Sequence, residues 1–272
     1  MPKVKVNDIE MYYEIHGEGT PLVLITGYGG TSQGAKYFLD VDRFSKEHQC
    51  ILVDNRGIGQ STTSDGPYTI KIMASDVAEL LDALDIEEAH ILGGSMGGMI
   101  AQEMALNHPE KVKSLILVCT SPGGEKVWNI PGQLQGFYQM SWNFQPPEGY
   151  SDEELLAVDL GMSYSDDYIE KIKNSRSYSK VSDPVVVETL RKQYDAFVKH
   201  DAYDRLPQIK QRTLILHGSE DGLTFPEGAY MLDECILYSK LVMFDGLKHS
   251  FLVEEREKFT NIVLDFLREV DT

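Results

Sequence analysis

The chain has 272 residues and a formal net charge of −18, with 42% hydrophobic, 10% aromatic and 25% charged residues. This composition fits one or two globular domains and excludes a disordered or collagen-like chain. The negative charge makes nucleic acid, anionic membrane surfaces and polyanionic substrates unfavourable partners. The three cysteines (Cys50, Cys119 and Cys235) are too dispersed for a disulfide framework, and none belongs to a motif with zinc-ligand spacing.

The first seven residues are charged and alternating, unlike the basic start and apolar stretch of a signal peptide. No apolar run approaches the roughly 20 residues that a membrane-spanning helix needs. We therefore expect a cytoplasmic protein without a membrane partner. Cys50 and Cys119 lie beside apolar runs and are expected to be small buried side chains. Monomer and homodimer both remain open.

Short apolar runs recur along the chain and predict strands. Two of them, at 4–6 and 9–15, flank the turn-prone pair Asn7-Asp8 and predict a hairpin. The later runs are continuous rather than alternating, which is typical of strands buried on both faces of a parallel sheet. These later runs are 21–25, 51–53, 89–92, 114–118, 214–216 and 241–244.

Segments with helical periodicity separate these strands. The segment 74–84 places an apolar stripe on one face, and its acidic residues, including Asp76, on the other. Segments 96–107 and 257–270 also have helical patterns. Alternation of strands and helices predicts an α/β fold with a mostly parallel sheet, to which the hairpin adds an antiparallel edge.

This alternation stops between residues 125 and 207. The segment holds both tryptophans and seven of the 14 tyrosines, with helical patterns such as 152–156 and 184–199. We predict a core formed by residues 1–124 and 208–272, with residues 125–207 as a helical insertion between two core strands. Its aromatic residues either cover a site or pack the insertion on the core, and the sequence leaves both open.

A G-x-S-x-G motif at 93–97 lies between a predicted strand and a predicted helix. In a nucleophile elbow the serine occupies a strained strand-to-helix turn, and the flanking glycines let backbones approach closely. The motif therefore predicts Ser95 as a nucleophile at the carboxyl edge of the sheet.

A serine hydroxyl needs a base and a group that orients this base. Asp221 follows the strand predicted at 214–216, and His249 follows the one at 241–244. Because carboxyl ends of parallel strands meet at one edge, both are expected near Ser95. Their order, Ser, Asp, His, is the one found on this architecture.

Several residues compete for these roles. Glu220 is an alternative acid beside Asp221, and Asp245 is a more distant one. His217 also follows a strand, but it lies beside the acid and is interpreted as structural. The remaining histidines lack a comparable placement and are interpreted as structural or solvated: His16, His48, His90, His108 and His200.

Stabilising a tetrahedral oxyanion requires two N–H donors. We expect one from the backbone of Met96 and the other from Tyr28, in the Thr-Gly-Tyr-Gly-Gly loop at 26–30; a merely flexible turn is the alternative. No P-loop or complete G-x-G-x-x-G motif occurs, so no nucleotide cofactor is expected. The acidic runs are interpreted as solvated helix faces, and no metal is required.

Together with the D-x-R-G-x-G-x-S segment at 54–61, these motifs resemble the α/β-hydrolase superfamily over essentially the whole chain, notably its lid-bearing esterases, enol-lactonases and cofactor-free haloperoxidase-like members. The resemblance implies a mostly parallel eight-stranded sheet, a helical cap after the sixth strand and a triad of Ser95, Asp221 and His249. Thr26 stands where the family often has His, and Lys248 where it often has Gly.

The leading hypothesis is a serine carboxylesterase that cleaves small, fairly apolar, neutral esters. A lactonase similar to 3-oxoadipate enol-lactonase, a C–C bond hydrolase or a perhydrolase is an alternative on the same triad. A carboxylated substrate would need a cationic anchor, for which the candidates are Arg56, Lys126, Arg176 and Lys248. A non-catalytic small-molecule receptor is the alternative from another class.

Overall fold

The computed structural model describes residues 2–143, 145–175 and 183–272. Eight strands form one sheet in the order β1-β2-β4-β3-β5-β6-β7-β8. They span Lys3–Val6 (β1), Ile9–His16 (β2), Thr20–Ile25 (β3), His48–Val53 (β4), Ala89–Gly94 (β5), Val112–Val118 (β6), Arg212–Gly218 (β7) and Ser239–Phe244 (β8). Strands β3 to β8 are parallel, whereas β1 and β2 add an antiparallel edge. The predicted sheet is confirmed.

Helices cover both faces of this sheet. They span Ser32–Phe38 (α1), Val41–Phe44 (α2), Ile70–Ala83 (α3), Met96–Asn107 (α4), Glu125–Trp128 (α5), Gln133–Met140 (α6), Asp152–Ser163 (α7), Asp166–Ile172 (α8), Pro184–Val198 (α9), Pro226–Cys235 (α10), Phe251–Glu254 (α11) and Arg256–Asp271 (α12). Short 3-10 turns lie at Pro109–Lys111, Ser141–Asn143, Lys173–Ser175 and Tyr203–Gln208. The main predicted helices correspond to α3, α4, α9 and α12.

Side chains of the central strands alternate between two apolar layers. In β3, Val23 and Ile25 pack in the layer that contains α3 and α4, whereas Leu22 and Leu24 pack in the layer that contains α12. All four are almost completely buried. Since neither face of the strand meets water, its sequence is continuously apolar, as a parallel sheet covered on both sides requires.

Between β6 and β7 the described residues form α5 to α9 and no strand. The rings of Trp128, Phe137 and Phe197 pack against each other, with Phe137 at centroid distances of 4.6 Å from Trp128 and 4.8 Å from Phe197. Phe137 and Phe197 also belong to the buried apolar layer that contains α3 and α4, which is the packing on the core that one of the two open interpretations expected. Trp142 of the same segment instead lines the cavity described below. None of the described helices combines the length and hydropathy needed to cross a bilayer.

A buried ion pair links α3 to the loop after β4. Arg56 Nε and Nη2 donate to Oδ2 and Oδ1 of Asp76, each at 2.7 Å, and both side chains are at most 2% exposed. The helical pattern grouped Asp76 with the polar face of α3, and this expectation is wrong. The two charge-assisted hydrogen bonds compensate the carboxylate for the loss of water.

Replacing Asp76 with alanine is expected to lower the free energy of unfolding by about 3–5 kcal/mol, because it leaves the Arg56 charge buried without its main partner. The control is Asp82→Ala, on the same helix. The Asp82 side chain is 64% exposed and pairs with Lys111 at the surface, so its loss is expected to cost less than about 1 kcal/mol. Urea unfolding measures both, and equal losses would contradict this account.

Candidate active site

Ser95 lies at the turn from β5 into α4, with φ +53° and ψ −121°. A non-glycine residue rarely adopts positive φ, so neighbouring groups must hold it there. The Ser95 N–H donates to the carbonyl of Val118 at 2.8 Å, and its own carbonyl accepts from Thr120 Oγ1 at 2.7 Å. These contacts with β6 and the loop after it stabilise the strained turn.

The glycines of the motif are required by close backbone contacts. A Cβ atom on Gly97 would lie 2.2 Å from the carbonyl oxygen of Ile25, and one on Gly93 would lie 2.1 Å from that of Gly97. Both obstacles are backbone atoms, which cannot rotate away as a flexible side chain can. The turn can therefore pack against β3 only if position 97 lacks a side chain, and it can close on its own backbone only if position 93 lacks one.

Asp221 and His249 form a hydrogen-bonded pair. His249 Nδ1 lies 2.8 Å from Asp221 Oδ2. The other carboxylate oxygen accepts the backbone N–H groups of Leu223 at 2.8 Å and Thr224 at 3.0 Å. Thr224 Oγ1 adds a bond to Oδ2 at 2.9 Å. Asp221 is therefore fixed by its own loop in the orientation that meets His249.

The pair is electrostatically coupled. Burial alone would raise the pKa of Asp221, but the adjacent His249 and the hydrogen bonds to the carboxylate hold that pKa well below its ordinary value. Burial alone would lower the pKa of His249, but Asp221 and the Cys119 sulfur raise it well above 6.5.

The rival acids Glu220 and Asp245 are both exposed, and neither has a hydrogen bond to His249 among the described residues.

His217 lies closer to the pair than its structural interpretation required. It is fully buried, and its Nε2 donates to the carbonyl of Thr224 at 2.6 Å while lying 3.3 Å from Asp221 Oδ2. Cys119 is buried as expected, but it has φ +41° and lines the same cavity as His249. Neither the position of His217 beside Asp221 nor that of Cys119 in this cavity could be predicted from the residue type alone.

The two predicted oxyanion donors lie on elements that converge at Ser95. Met96 is the first residue of α4, and Tyr28 belongs to the loop after β3. A Cβ atom on the adjacent Gly27 would lie 3.1 Å from Ser95 Cβ, so this loop closely approaches the serine. Within the described residues, neither N–H group has a hydrogen-bond acceptor. Thr26, the departure from the family pattern, stabilises the loop through a 2.9 Å bond to the Gly30 carbonyl.

Two buried glutamines link the segment between β6 and β7 to the loop after β3 and to the loop after β7 through hydrogen bonds. Gln193 of α9 accepts the Gly29 N–H at 3.0 Å and donates to the Arg56 carbonyl at 3.3 Å. Gln133 of α6 accepts the Phe225 N–H at 2.8 Å and donates to the Leu223 carbonyl at 2.7 Å. Both side chains are fully buried. Each amide therefore links one helix of this segment to one loop of the site.

Ser95 and His249 open into a common cavity of about 260 Å³. Its walls are mostly apolar and come from both the core and the segment after β6. Core residues include Phe38, Leu39 and Leu223; the segment contributes Met140, Trp142, Leu155 and Met162. No lysine or arginine lines the cavity within the described part of the chain, whereas Asp159 contributes a carboxylate.

Three of the four candidate cationic anchors lie away from the cavity. Arg56 is buried against Asp76, and Lys126 lies over the Tyr203 ring at 3.7 Å from its centroid. Lys248 pairs with Asp166 at 3.3 Å. None of the three lines the cavity, and Arg176 lies outside the described residues.

A family model for the alpha/beta hydrolase fold matches residues 20–256. The chain therefore belongs to the α/β-hydrolase family, as its motifs led us to expect. It is 29% identical to RutD of Azorhizobium caulinodans, a protein named for carbamate hydrolysis, with 100% of both chains covered. It is also 26% identical to a 2-hydroxymuconate semialdehyde hydrolase of a Pseudomonas species, covering 94% of this chain and 89% of that one.

Solved structures share the same architecture. An esterase from Exiguobacterium antarcticum superposes with a TM-score of 0.81 at 25% sequence identity, covering 99% of each chain. These relatives are hydrolases with different named substrates, so the family indicates hydrolytic chemistry.

Proposed function

We propose that the protein hydrolyses carboxylic esters of small, neutral, largely apolar compounds through an acyl-enzyme on Ser95. The observation that carries this proposal is the common cavity of Ser95 and His249, with His249 hydrogen-bonded to the buried Asp221 at 2.8 Å. In the proposed roles, His249 is the general base, and Asp221 orients it and stabilises its charged form.

The reaction proceeds in two halves. His249 takes the hydroxyl proton as Ser95 Oγ attacks the ester carbonyl, and the resulting oxyanion is held by the N–H groups of Tyr28 and Met96. The carbonyl–oxygen bond to the alcohol then breaks, and His249 gives the alcohol its proton. Water, deprotonated by His249, then attacks the acyl carbon. The bond from this carbon to Ser95 Oγ breaks, the acid leaves, and His249 returns the proton to Ser95 Oγ.

We further propose that residues 125–207 act as a cap on a core of residues 1–124 and 208–272. Met140, Trp142 and Leu155 of this segment support the proposal because they line the cavity. The two buried glutamines, Gln133 and Gln193, bond to the loops that carry Asp221 and Tyr28. Movement of the cap would therefore be transmitted to both loops.

The proposed substrate class is supported by the mostly apolar character of the described residues that line the cavity. A substrate carboxylate entering this largely apolar space would lose water and find no lysine or arginine among the described lining residues. Carbamate hydrolysis is a second candidate, favoured by the full-length similarity to RutD, because a neutral carbamate presents a similar carbonyl carbon.

A matched pair of substrates tests the proposal. We expect kcat/KM for p-nitrophenyl hexanoate to exceed that for mono-p-nitrophenyl adipate by about 10-fold to 100-fold, the cost of leaving a desolvated carboxylate unpaired. A p-nitrophenyl carbamate of similar size tests the second candidate. Equal or greater activity on the adipate ester would contradict the proposed substrate class.

A lysine placed on the cavity wall should change this preference. Met162→Lys is expected to reduce the ratio of kcat/KM for the hexanoate ester to that for the adipate ester by about 10-fold, because it offers the adipate carboxylate a partner. The matched control is Ala157→Lys, since Ala157 lies on the same helix, α7, but is exposed and does not line the cavity. If both variants shift the ratio equally, the effect comes from overall charge rather than from the cavity.

The pKa of His249 predicts the pH dependence. Only neutral imidazole can take the Ser95 proton, so kcat/KM should rise as the pH increases through the pKa of His249. Burial lowers the pKa of His249, but Asp221 and Cys119 outweigh this effect and raise the pKa well above 6.5. The rise in kcat/KM should therefore occur above pH 6.5. Removing the Cys119 sulfur in Cys119→Ala should move the rise to lower pH. Cys235 does not line the cavity, so Cys235→Ala should leave this pH unchanged. A rise unaffected by Cys119→Ala would contradict this assignment.

A further inference from the structure

A second cluster of ligand-type side chains lies at the amino ends of the parallel strands, the edge of the sheet opposite Ser95. His48 is the first residue of β4, and His90 is the second residue of β5. Asp271 is the last residue of α12. The proposed hydrolysis uses none of the three, so their arrangement requires a separate explanation.

The sheet register brings the two histidines together. His48 pairs with Thr20 on one side of β3, and His90 pairs with Leu22 on the other side. Thr20 and Leu22 are two residues apart, so both histidines point to the same face of the sheet. Their ring centroids are 5.9 Å apart.

The carboxylate of Asp271 lies between the two rings. Its Oδ1 is 3.1 Å from His90 Nε2, and its Oδ2 is 3.5 Å from His48 Nε2. One ligand atom from each of the three residues lies within 4.8 Å of the others. Small adjustments of these side chains can therefore bring the three atoms around one ion.

The histidine rings are buried, and one of them lacks hydrogen bonds. His48 is 2% exposed, and among the described residues neither of its ring nitrogens has a hydrogen-bond partner. Such unsatisfied polar atoms are unfavourable, and a bound cation would satisfy one of them. His90 is fully buried, and its Nδ1 lies 2.7 Å from Ser114 Oγ. That bond orients the ring with Nε2 towards Asp271, as outer-shell partners do in metal sites.

We propose that His48, His90 and Asp271 bind a divalent transition-metal ion, with Zn²⁺ as the best match. Two imidazoles and one carboxylate are typical zinc ligands, and water would complete a tetrahedral shell. The ion would join the end of α12 to the amino ends of β4 and β5. It lies away from the proposed catalytic residues and serves to stabilise the fold.

Lys113 competes with the ion for the same carboxylate. Its Nζ lies 2.7 Å from Asp271 Oδ1, and its side chain is 26% exposed. A metal ion would repel this ammonium group, which can turn into solvent because the side chain already reaches the surface. Removing the competing charge should therefore strengthen metal binding.

The test uses the tag-free full chain and titration with Co²⁺ and Zn²⁺. We expect one ion per chain and a visible cobalt absorption typical of tetrahedral coordination. At a free Zn²⁺ concentration of about 100 times Kd, the Tm should rise by roughly 5–10 °C. Lys113→Met should bind about 5-fold to 10-fold more tightly. Asp271→Asn and His48→Ala should abolish the cobalt absorption, and Asp271→Asn serves alone if His48→Ala does not fold.

Two control variants separate this site from other histidines. His249→Ala and His108→Ala should keep both the one-to-one stoichiometry and the cobalt absorption. No saturable binding by the unmodified chain would overturn the proposal. It would also be overturned if Asp271→Asn retained the absorption, if His249→Ala abolished it, or if Lys113→Met failed to tighten binding. Ester hydrolysis does not enter these measurements, so their outcome is independent of the proposed function.

Discussion

Replacing Ser95 with alanine is expected to lower kcat for p-nitrophenyl hexanoate by about 10⁴-fold or more while changing KM little. The substitution removes the oxygen that attacks the ester but keeps the cavity, the donors and the rest of the elbow. Alanine meets the same backbone strain as serine at φ +53°, so the fold should be preserved. Steady-state kinetics and the Tm together measure the effect.

The matched control is Ser163→Ala. Ser163 lines the same cavity as Ser95, but it lies on α7 and outside the elbow. We expect its kcat to stay within about 3-fold of the unmodified chain, in line with the small effects of substitutions outside catalytic machinery. If Ser95→Ala retained a tenth or more of the original kcat, an acyl-enzyme on Ser95 would be excluded.

Asp221→Asn is expected to lower kcat by about 10³-fold to 10⁴-fold. An amide cannot stabilise imidazolium as a carboxylate does, and its N–H₂ group can impose the wrong tautomer on His249. The loop should keep its shape, because the remaining amide oxygen can still accept the N–H groups of Leu223 and Thr224. The pH at which activity rises should also move down, since the carboxylate raises the pKa of His249 despite its burial.

Two neighbouring acids provide the controls for this prediction. Glu220→Gln and Asp245→Asn remove exposed carboxylates that have no hydrogen bond to His249 among the described residues. Both variants should retain near-normal kcat and the same pH dependence. If Glu220→Gln lost activity while Asp221→Asn did not, the acid would have been assigned to the wrong residue.

Much of the architecture could be predicted from local patterns. Strands such as β3 are buried on both faces, so their sequences are continuously apolar and can be recognised without partners. The elbow at Ser95 was also visible, because its flanking glycines are required by backbone contacts within a few residues of the strand end. Chain order then indicated that Asp221 and His249 would lie on the same edge.

Contacts between distant elements could not be predicted in the same way. Asp76 was assigned to the polar side of its helix because periodicity treats every carboxylate alike, and its burial depends on Arg56 from another loop. His48 and His90 are separated in the sheet by β3, an order that the sequence does not reveal. Gln193 gave no signal because a buried glutamine looks like any polar residue of a helix.

The most direct test of the proposed acyl-enzyme chemistry is the intact mass of the folded chain after incubation with a fluorophosphonate, followed by peptide mapping. Such a probe reacts with a serine whose oxygen is activated by a neighbouring base. We predict one adduct per chain on Ser95, and none in Ser95→Ala. A folded chain that gains no adduct, or gains it on another residue, would contradict the proposed triad.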